Sequence, residues 1–252
     1  MSSNPVLTKV ALITGAAGGI GHALADAFMA SGYTVLALDI ADKPETLDCH
    51  HYIQADLSRY TAEEPYARGV NLQIFRLCNG RLDALINNAA IQVIQRVETI
   101  TREDWQRTLN VNLLAPFFLT QALVSILAEA GGSVVNISSI HARLTKPQFV
   151  AYATSKAALS AMTRSMCLEL GQRFRVNAIE PAAIETEMLK QGLVATEGAY
   201  EILKDYHPVG RIGSPNEVAR ATVWLCSNES SFTNGACVLV DGGISNALHD
   251  PT

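Results

Sequence analysis

Short apolar runs alternate with longer amphipathic ones along the whole chain. KVALIT (9–14), TVLALD (34–39), YIQAD (52–56), LDALIN (82–87), SVVNIS (133–138), RVNAIE (175–180) and ACVLVD (236–241) are rich in aliphatic and β-branched residues and read as strands. Segments such as GHALADAFMASG and REDWQRTLNVNLLAPFF, lying between them, carry helical spacing. Strand, helix, strand, repeated, predicts a parallel sheet with helices on both faces. The near-continuous apolar character of the strands agrees, because such strands are buried on both sides. The expected class is α/β, with about seven parallel strands in one doubly wound sheet.

No linker, repeat or low-complexity block divides the chain, so residues 1–252 are expected to form a single domain. Two places break the alternation. The stretch from Asp39 to Tyr52 contains Pro44 and is expected to hold no full helix. An insertion at about 186–213 follows the sixth strand. Open α/β sheets bind ligands at the carboxyl ends of their strands, so this insertion is expected to be a lid over a substrate.

Composition narrows the function. Hydrophobic residues make up 48% and charged residues 17%, a balance that supports a packed core rather than disorder. A net charge of −5 and the lack of any Lys/Arg run argue against a nucleic-acid partner. The five cysteines are widely spaced and no CxxC or HExxH occurs, so no metal is expected. Reduced thiols fit a cytoplasmic location. The N-terminal MSSNPVLTKVALITG is too polar for a signal peptide. LLAPFFLTQALVSILA (113–128) is interrupted by Thr120, Gln121 and Ser125 and is shorter than the roughly 20 apolar residues that span a bilayer. No membrane is expected; a helix buried in the protein or between subunits is.

TGAAGGIG follows the first strand and opens a helix, with Gly15, Gly19 and Gly21 as its spaced glycines. Glycine lets a backbone turn sharply and approach a pyrophosphate, and the helix N-terminus then faces the negative charge. The spacing is G-x-x-x-G-x-G, so the general G-x-G-x-x-G fingerprint is not matched literally. Asp39 ends the second strand, where an acid hydrogen-bonds the adenosine ribose hydroxyls. A 2′-phosphate about 4 Å from that carboxylate is repelled by roughly 4 kcal/mol at an effective dielectric of about 20. Gly18 stands where a basic residue could have received the phosphate. NAD rather than NADP is therefore expected.

Tyr152 and Lys156, in YATSK, share a helix face at i, i+4, a pairing that by itself is common. Together with TGAAGGIG, NNAA (87–90), NVNLLAPF (110–117), NISS (136–139) and VDGG (240–243), in that order, it carries a resemblance. From about Lys9 to Gly243 the chain resembles the short-chain dehydrogenase/reductase family.

That resemblance implies a Rossmann-type domain with a catalytic tetrad of Asn112, Ser139, Tyr152 and Lys156. Ser139 is preferred to Ser138 because the family places the serine thirteen residues before the tyrosine. It implies cofactor contacts at Gly15, Gly18, Gly19, Ile20 and Gly21, at Asp39 and Ile40, and at Asp56 and Leu57. Further contacts are implied at Asn88, Ala89, Ala90, Tyr152, Lys156 and Pro181, with Ile184 and Thr186 at the nicotinamide carboxamide. A homotetramer is implied, with a dimer second, and the Ala/Ser/Met-rich helix 151–170 suits close packing between subunits. Two departures stand out: Ala90 replaces the usual glycine of NNAG, and Ala182 replaces the glycine that usually follows Pro181. If the second turn needs a positive φ, alanine would shift the nicotinamide pocket.

The tyrosine must act as a base near neutrality, yet its ordinary pKa is about 10. Lowering it by about three units takes roughly 4 kcal/mol. An ammonium about 4–5 Å away supplies close to that at an effective dielectric of about 20. Lys156 is thus expected to lower the pKa of Tyr152. In the implied reaction Ser139 hydrogen-bonds the substrate oxygen, Tyr152 exchanges the hydroxyl proton, and Asn112 links Lys156 to solvent through its backbone and a water. Hydride passes between the carbinol carbon and the nicotinamide.

The substrate is less legible. HARLTKPQF, between Ser139 and Tyr152, holds His141, Arg143, Lys146 and Gln148. A small-molecule substrate rich in hydroxyls or anionic is one reading: a sugar, polyol, hydroxy acid or cyclic diol. His141 and Gln148 are the expected contacts, with His207 closing from the insertion, while Arg143 and Lys146 could equally be solvated loop charges. The activity expected is NAD-dependent interconversion of a secondary alcohol and its ketone. A 3-oxoacyl-type or other carbonyl reductase using NAD(P)H is the alternative, and a non-catalytic dinucleotide-binding sensor is an alternative of another class.

Overall fold

The computed structural model describes residues 8–193 and 198–247. Residues 194–197 of the expected 186–213 lid, and the chain ends, lie outside the described residues. In chain order the elements are β1 (Lys9–Thr14), α1 (Gly19–Ala30), β2 (Tyr33–Asp39), β3 (His51–Gln54), α2 (Leu57–Ala62) and α3 (Glu64–Cys78). Then come β4 (Ala84–Asn87), α4 (Arg102–Leu109), α5 (Ala115–Ala130), β5 (Ser133–Ile137), α6 (Val150–Leu170) and β6 (Arg175–Pro181). The chain closes with α7 (Glu187–Leu193), α8 (Ala199–Asp205), α9 (Pro215–Cys226) and β7 (Cys237–Val240). Each expected strand is present, most of them shorter than read. Between β2 and β3 there is no helix, as the Pro44 segment suggested.

The seven strands form one sheet in the order β3-β2-β1-β4-β5-β6-β7, every pair parallel. The Rossmann-type α/β class read from the sequence is what the chain adopts. Alternation along β1 shows why its apolar run is unbroken. Leu12 packs into a core layer with Leu119, Leu123 and Ile126 of α5 and Met166 of α6. Ala11 and Ile13 point the other way, into a layer with Leu24 and Phe28 of α1 and Val218 and Leu225 of α9. Burying a side chain such as Leu24 or Phe28 stabilises the fold by about 1.5–3 kcal/mol each. The stretch 113–128 falls almost wholly in α5, which buries Leu119, Leu123, Ile126 and Leu127 and ends at Gly131 with φ +59°. A left-handed residue at that position closes a helix without the Cβ penalty.

The order reverses between β1 and β4. β1 continues through α1 to β2 on one side, and β4 continues through α4 and α5 to β5 on the other. A crevice opens where the two directions diverge, at the carboxyl ends of the strands.

Candidate active site

A cavity of about 940 Å³ occupies that crevice. Of all the residues assigned from the sequence to catalysis, cofactor or substrate, only Asn112 and Gln148 are absent from its wall.

At one end lies the glycine turn. Gly15 has φ +64°, and a Cβ there would sit 2.7 Å from the Ala89 Cα. A Cβ on Gly21 would sit 2.1 Å from the Gly15 carbonyl oxygen, so α1 can start this close to β1 only with glycine. Gly18 caps α1 and offers no side chain to its first N–H groups, which leaves them to an anion. Asn88 ties the turn down from β4: its Nδ2 donates to the carbonyls of Thr14 (3.0 Å) and Gly15 (2.9 Å). The Thr14 hydroxyl returns the favour, accepting from the backbone N–H of Asn88 and of Ala89, each at 3.0 Å. Asn88 therefore builds the cradle with its amide. Thr14 was not singled out in the sequence; a hydroxyl ending an otherwise apolar strand was the available signal.

Asp39 stands at the end of β2 beside this turn. Its Oδ2 accepts from the Ala17 N–H (2.9 Å) and its Oδ1 from the Ala41 N–H (3.0 Å). Each oxygen keeps acceptor capacity for a second donor. A Cβ on Gly18 would meet only the Gly15 carbonyl, at 3.5 Å, so this corner has room that the chain leaves open. Asp56 caps α2, its Oδ1 accepting from the Ser58 N–H (2.7 Å) and the Arg59 N–H (3.4 Å), which orients the wall at Asp56 and Leu57. Exposed Ile40 flanks the same wall. Glycine cradle, open helix N-terminus and strand-end carboxylate together fit a dinucleotide. At the far side Ala182 is not among the positive-φ residues, so alanine sits there without backbone strain and the shift feared from the sequence is not required. Ala90 is likewise unstrained.

At the middle of the cavity β5 and α6 bring Ser139, Tyr152 and Lys156 together. Ser139 leaves β5 in an extended conformation, and its Oγ accepts from the His141 N–H at 3.2 Å. The Ser138 hydroxyl is turned to Ser160 (2.8 Å) and the Lys156 carbonyl (3.0 Å). Lys156 is 2% exposed, and its Nζ donates to the Ile137 carbonyl at 2.7 Å and lies 5.7 Å from the Tyr152 ring centroid. Burial pulls the Lys156 ammonium down to about 7. Burial pushes the Tyr152 phenol up, and its hydrogen bond with Ser139 draws it partly back. The sequence argument had Lys156 lowering the tyrosine. In this site burial dominates for both groups, and the group that opposes it at Tyr152 is Ser139.

Asn112 lies behind the wall in a π-turn at Asn110–Leu114, fully buried. Its amide clamps Ile91, accepting from the N–H and donating to the carbonyl at 2.9 Å each, and donates to the Ser155 Oγ at 3.0 Å. Pro116 stands four residues on and has no N–H, so the Asn112 carbonyl has no α-helical i+4 donor.

The substrate end is built by the 140–149 segment and the insertion. His141 stacks on Phe149 (4.8 Å between centroids) and meets Tyr152 edge-on (5.7 Å). Burial, and secondarily the Lys146 ammonium, hold His141 down to about 4, so near neutral pH it is an uncharged hydrogen-bonding ring. Lys146 lines the cavity with its ammonium 4.5 Å over the Phe149 ring. Gln148 is a correction: it is exposed, has φ +72°, and takes its place in a turn whose carbonyl accepts from the Gln95 N–H (3.0 Å), away from the cavity. Arg143 also leaves the cavity, pairing with Glu180 at 2.7 Å. His207 is 3% exposed and lines the cavity; its Nδ1 lies 2.7 Å from the Leu203 carbonyl, which puts the proton on that nitrogen.

Comparison with known proteins points one way. A family model described as "Enoyl-(Acyl carrier protein) reductase" matches residues 15–245. The chain is 37% identical to the 3-oxoacyl-acyl-carrier-protein reductase FabG of Thermotoga maritima, over 94% of this chain and 97% of that one. It is 31% identical to an NAD-dependent glycerol dehydrogenase of Listeria innocua, over 94% of each. Among solved structures, the ligand-free aldohexose dehydrogenase of Thermoplasma acidophilum superposes with a TM-score of 0.89 at 31% identity, over 97% of each chain.

Proposed function

The chain belongs to the short-chain dehydrogenase/reductase family, an oxidoreductase family, and from that premise we propose that it is an NAD-dependent dehydrogenase of a secondary alcohol. The observation that carries this reading is Asp39, a nearly buried carboxylate beside the glycine turn of the cavity that also holds Ser139, Tyr152 and Lys156. A 2′-phosphate would have to displace or neutralise that charge, whereas a free ribose diol can donate to it.

A bound nicotinamide supplies the hydride acceptor for oxidation and the donor for reduction. The chain's own residues do the rest. The Ser139 hydroxyl holds the substrate oxygen against Tyr152 and steadies charge that develops on it. Tyr152 takes the hydroxyl proton in oxidation and returns it in reduction. Lys156, with a pKa of about 7, exchanges protons readily at neutral pH, and the Asn112 carbonyl, which Pro116 denies an i+4 donor, would hold a water on that route. We assign the substrate to polar hydroxyl compounds, such as sugars, polyols, hydroxy acids and cyclic diols. Neutral His141 beside Tyr152 and the relatives named for glycerol and aldohexose support this class. We take the acting form to be a cytoplasmic homotetramer with no nucleic-acid or membrane partner.

A second reading, a 3-oxoacyl reductase using NADPH, draws on the relative at 37% identity. NADH formation from NAD⁺ and NADPH formation from NADP⁺ over a panel of such alcohols, beside the reverse reaction with 3-oxoacyl substrates, separates the two. Turnover with NAD⁺ on polyhydroxy compounds is the expected result. Tyr152→Phe should reduce kcat by about 10²–10⁴-fold with NADH binding intact. Turnover confined to NADPH and 3-oxoacyl substrates would overturn the proposal.

A further inference from the structure

Glu180 is the penultimate residue of β6 and only 1% exposed. A carboxylate withdrawn from water this far needs partners that hold its charge. Arg143 Nε donates to Oε2 at 2.7 Å, and the Ser160 hydroxyl donates to Oε1 at 2.8 Å. Ser160 in turn lies 2.8 Å from the Ser138 hydroxyl, which donates to the Lys156 carbonyl at 3.0 Å. One acid thus joins three pieces of chain. The first is the turn after β5, which carries Ser139 and Arg143. The second is the stretch of α6 around Lys156 and Ser160. The third is the end of β6, where Pro181 enters the cavity wall. Neither Glu180 nor Arg143 lines the cavity.

We infer that Glu180 and Arg143 are positioning residues that hold the Ser139 hydroxyl in register with Tyr152 and Lys156. The inference rests on the proposed reaction for its kinetic consequence, though not for its structural one. Without the Arg143 anchor, no ion pair among the described residues ties the turn that carries Ser139 and His141 to β6. Displacing a reacting group by about 1 Å can cost 10²-fold in rate. Glu180→Gln is the informative variant. It keeps the size of the side chain and an acceptor for Ser160, and strands only the half-exposed Arg143. Arg143→Met strands the buried charge instead and is expected to cost more stability.

The test compares kcat, NADH affinity and melting temperature for wild type, Glu180→Gln, Arg143→Met, Arg143→Lys and the double variant Glu180→Gln/Arg143→Met. Glu180→Gln should reduce kcat about 10–100-fold with NADH affinity unchanged. Arg143→Lys should recover part of the rate lost in Arg143→Met. The double variant should be no slower than the worse single one, because the two residues act as a unit. A purely structural pair would lower the melting temperature and leave kcat of the folded protein at the wild-type value, which would overturn the inference. Additive losses in the double variant would also overturn it. A readout independent of turnover is the ring NMR resonance of Tyr152, assigned by its disappearance in Tyr152→Phe. It should move in Glu180→Gln as the bond from Ser139 loosens. Wild-type protein inert on every alcohol and ketone, with that resonance still shifting, would defeat the proposed reaction and leave the positioning role standing. An unmoved resonance would defeat the positioning role itself.

Discussion

The two ends of the cavity are made in different ways. The dinucleotide end is fixed by backbone. Gly15 and Gly21 leave no space for a methyl, Asn88 commits its amide to the carbonyls of Thr14 and Gly15, and Asp39 accepts from the Ala17 N–H of the turn. The substrate end is fixed by side chains on irregular backbone. The helices α7 and α8 of the insertion have seven residues each and bury none of them. His141, Lys146 and Phe149 reach one another by stacking across a loop. Backbone cradles tolerate little change, while a wall of loop side chains can be exchanged without disturbing the sheet. On these physical grounds the dinucleotide end has less freedom to change than the wall of loop side chains.

The sharpest way to break the rigid end is Gly21→Ala. The added methyl would meet the Gly15 oxygen at 2.1 Å and the Ala16 Cα at 2.6 Å, both of them backbone that cannot step aside. Loss of measurable NADH binding is the expected outcome, read by fluorescence titration on protein whose far-UV spectrum still shows the fold. The next effect is smaller and has a direction. Asp39→Ser with Gly18→Arg removes the carboxylate and fills a corner where a Cβ meets only the Gly15 carbonyl. Gly18 has φ −80°, a conformation open to any residue. The ratio of kcat/KM for NADP⁺ to that for NAD⁺ should rise about 10²–10³-fold, the worth of relieving a repulsion of some kcal/mol and adding an Arg–phosphate pair. A ratio unchanged by the pair of substitutions would mean that Asp39 serves only to fasten Ala17 and Ala41.

The same contrast separates what could be read from the sequence from what could not. The strands were legible because their apolar runs are buried on both faces, and the glycine turn because its sterics admit one residue type. The spacing of Tyr152 and Lys156 says only that they share a helix face; their assignment came from the resemblance carried by the ordered motifs, and the fold puts both on the cavity wall. Ser139 rather than Ser138 came from the family's spacing to the tyrosine, and in the fold the Ser138 hydroxyl lies against Ser160. Long-range partners were not legible. Nothing local says that Arg143 leaves the cavity for Glu180, thirty-seven residues away. A glutamate closing the apolar run RVNAI was the one hint that a cation had to come from elsewhere. Gln148 stands exposed in a turn outside the cavity wall, at a φ of +72° that is rare enough outside glycine to escape a reading by residue type. The balance of pKa shifts at Tyr152 also needed the fold. An argument from Coulomb's law between two side chains omits the burial that proves larger.

The smallest effect belongs to the substrate end and sharpens the comparison there. Lys146 lines the cavity, its ammonium lies over Phe149, and burial holds it below the ordinary lysine range. Yet the residue as a whole is exposed, and water screens whatever charge it meets. No carboxylate pairs with it among the described residues. A carboxylate on the substrate is the partner it can take, worth about two- to five-fold for an ion pair of this exposure. Lys146→Gln should therefore reduce kcat/KM by that factor for hydroxy acids, leave neutral polyols unaffected, and abolish the salt dependence of the difference. Equal effects on acids and polyols would make Lys146 a packing partner of Phe149. No effect on either would make it a solvated loop charge, and hydroxyl recognition would then fall to His141 beside Tyr152. Each result moves one side chain in or out of the substrate wall, and none of them touches the sheet or the glycine turn.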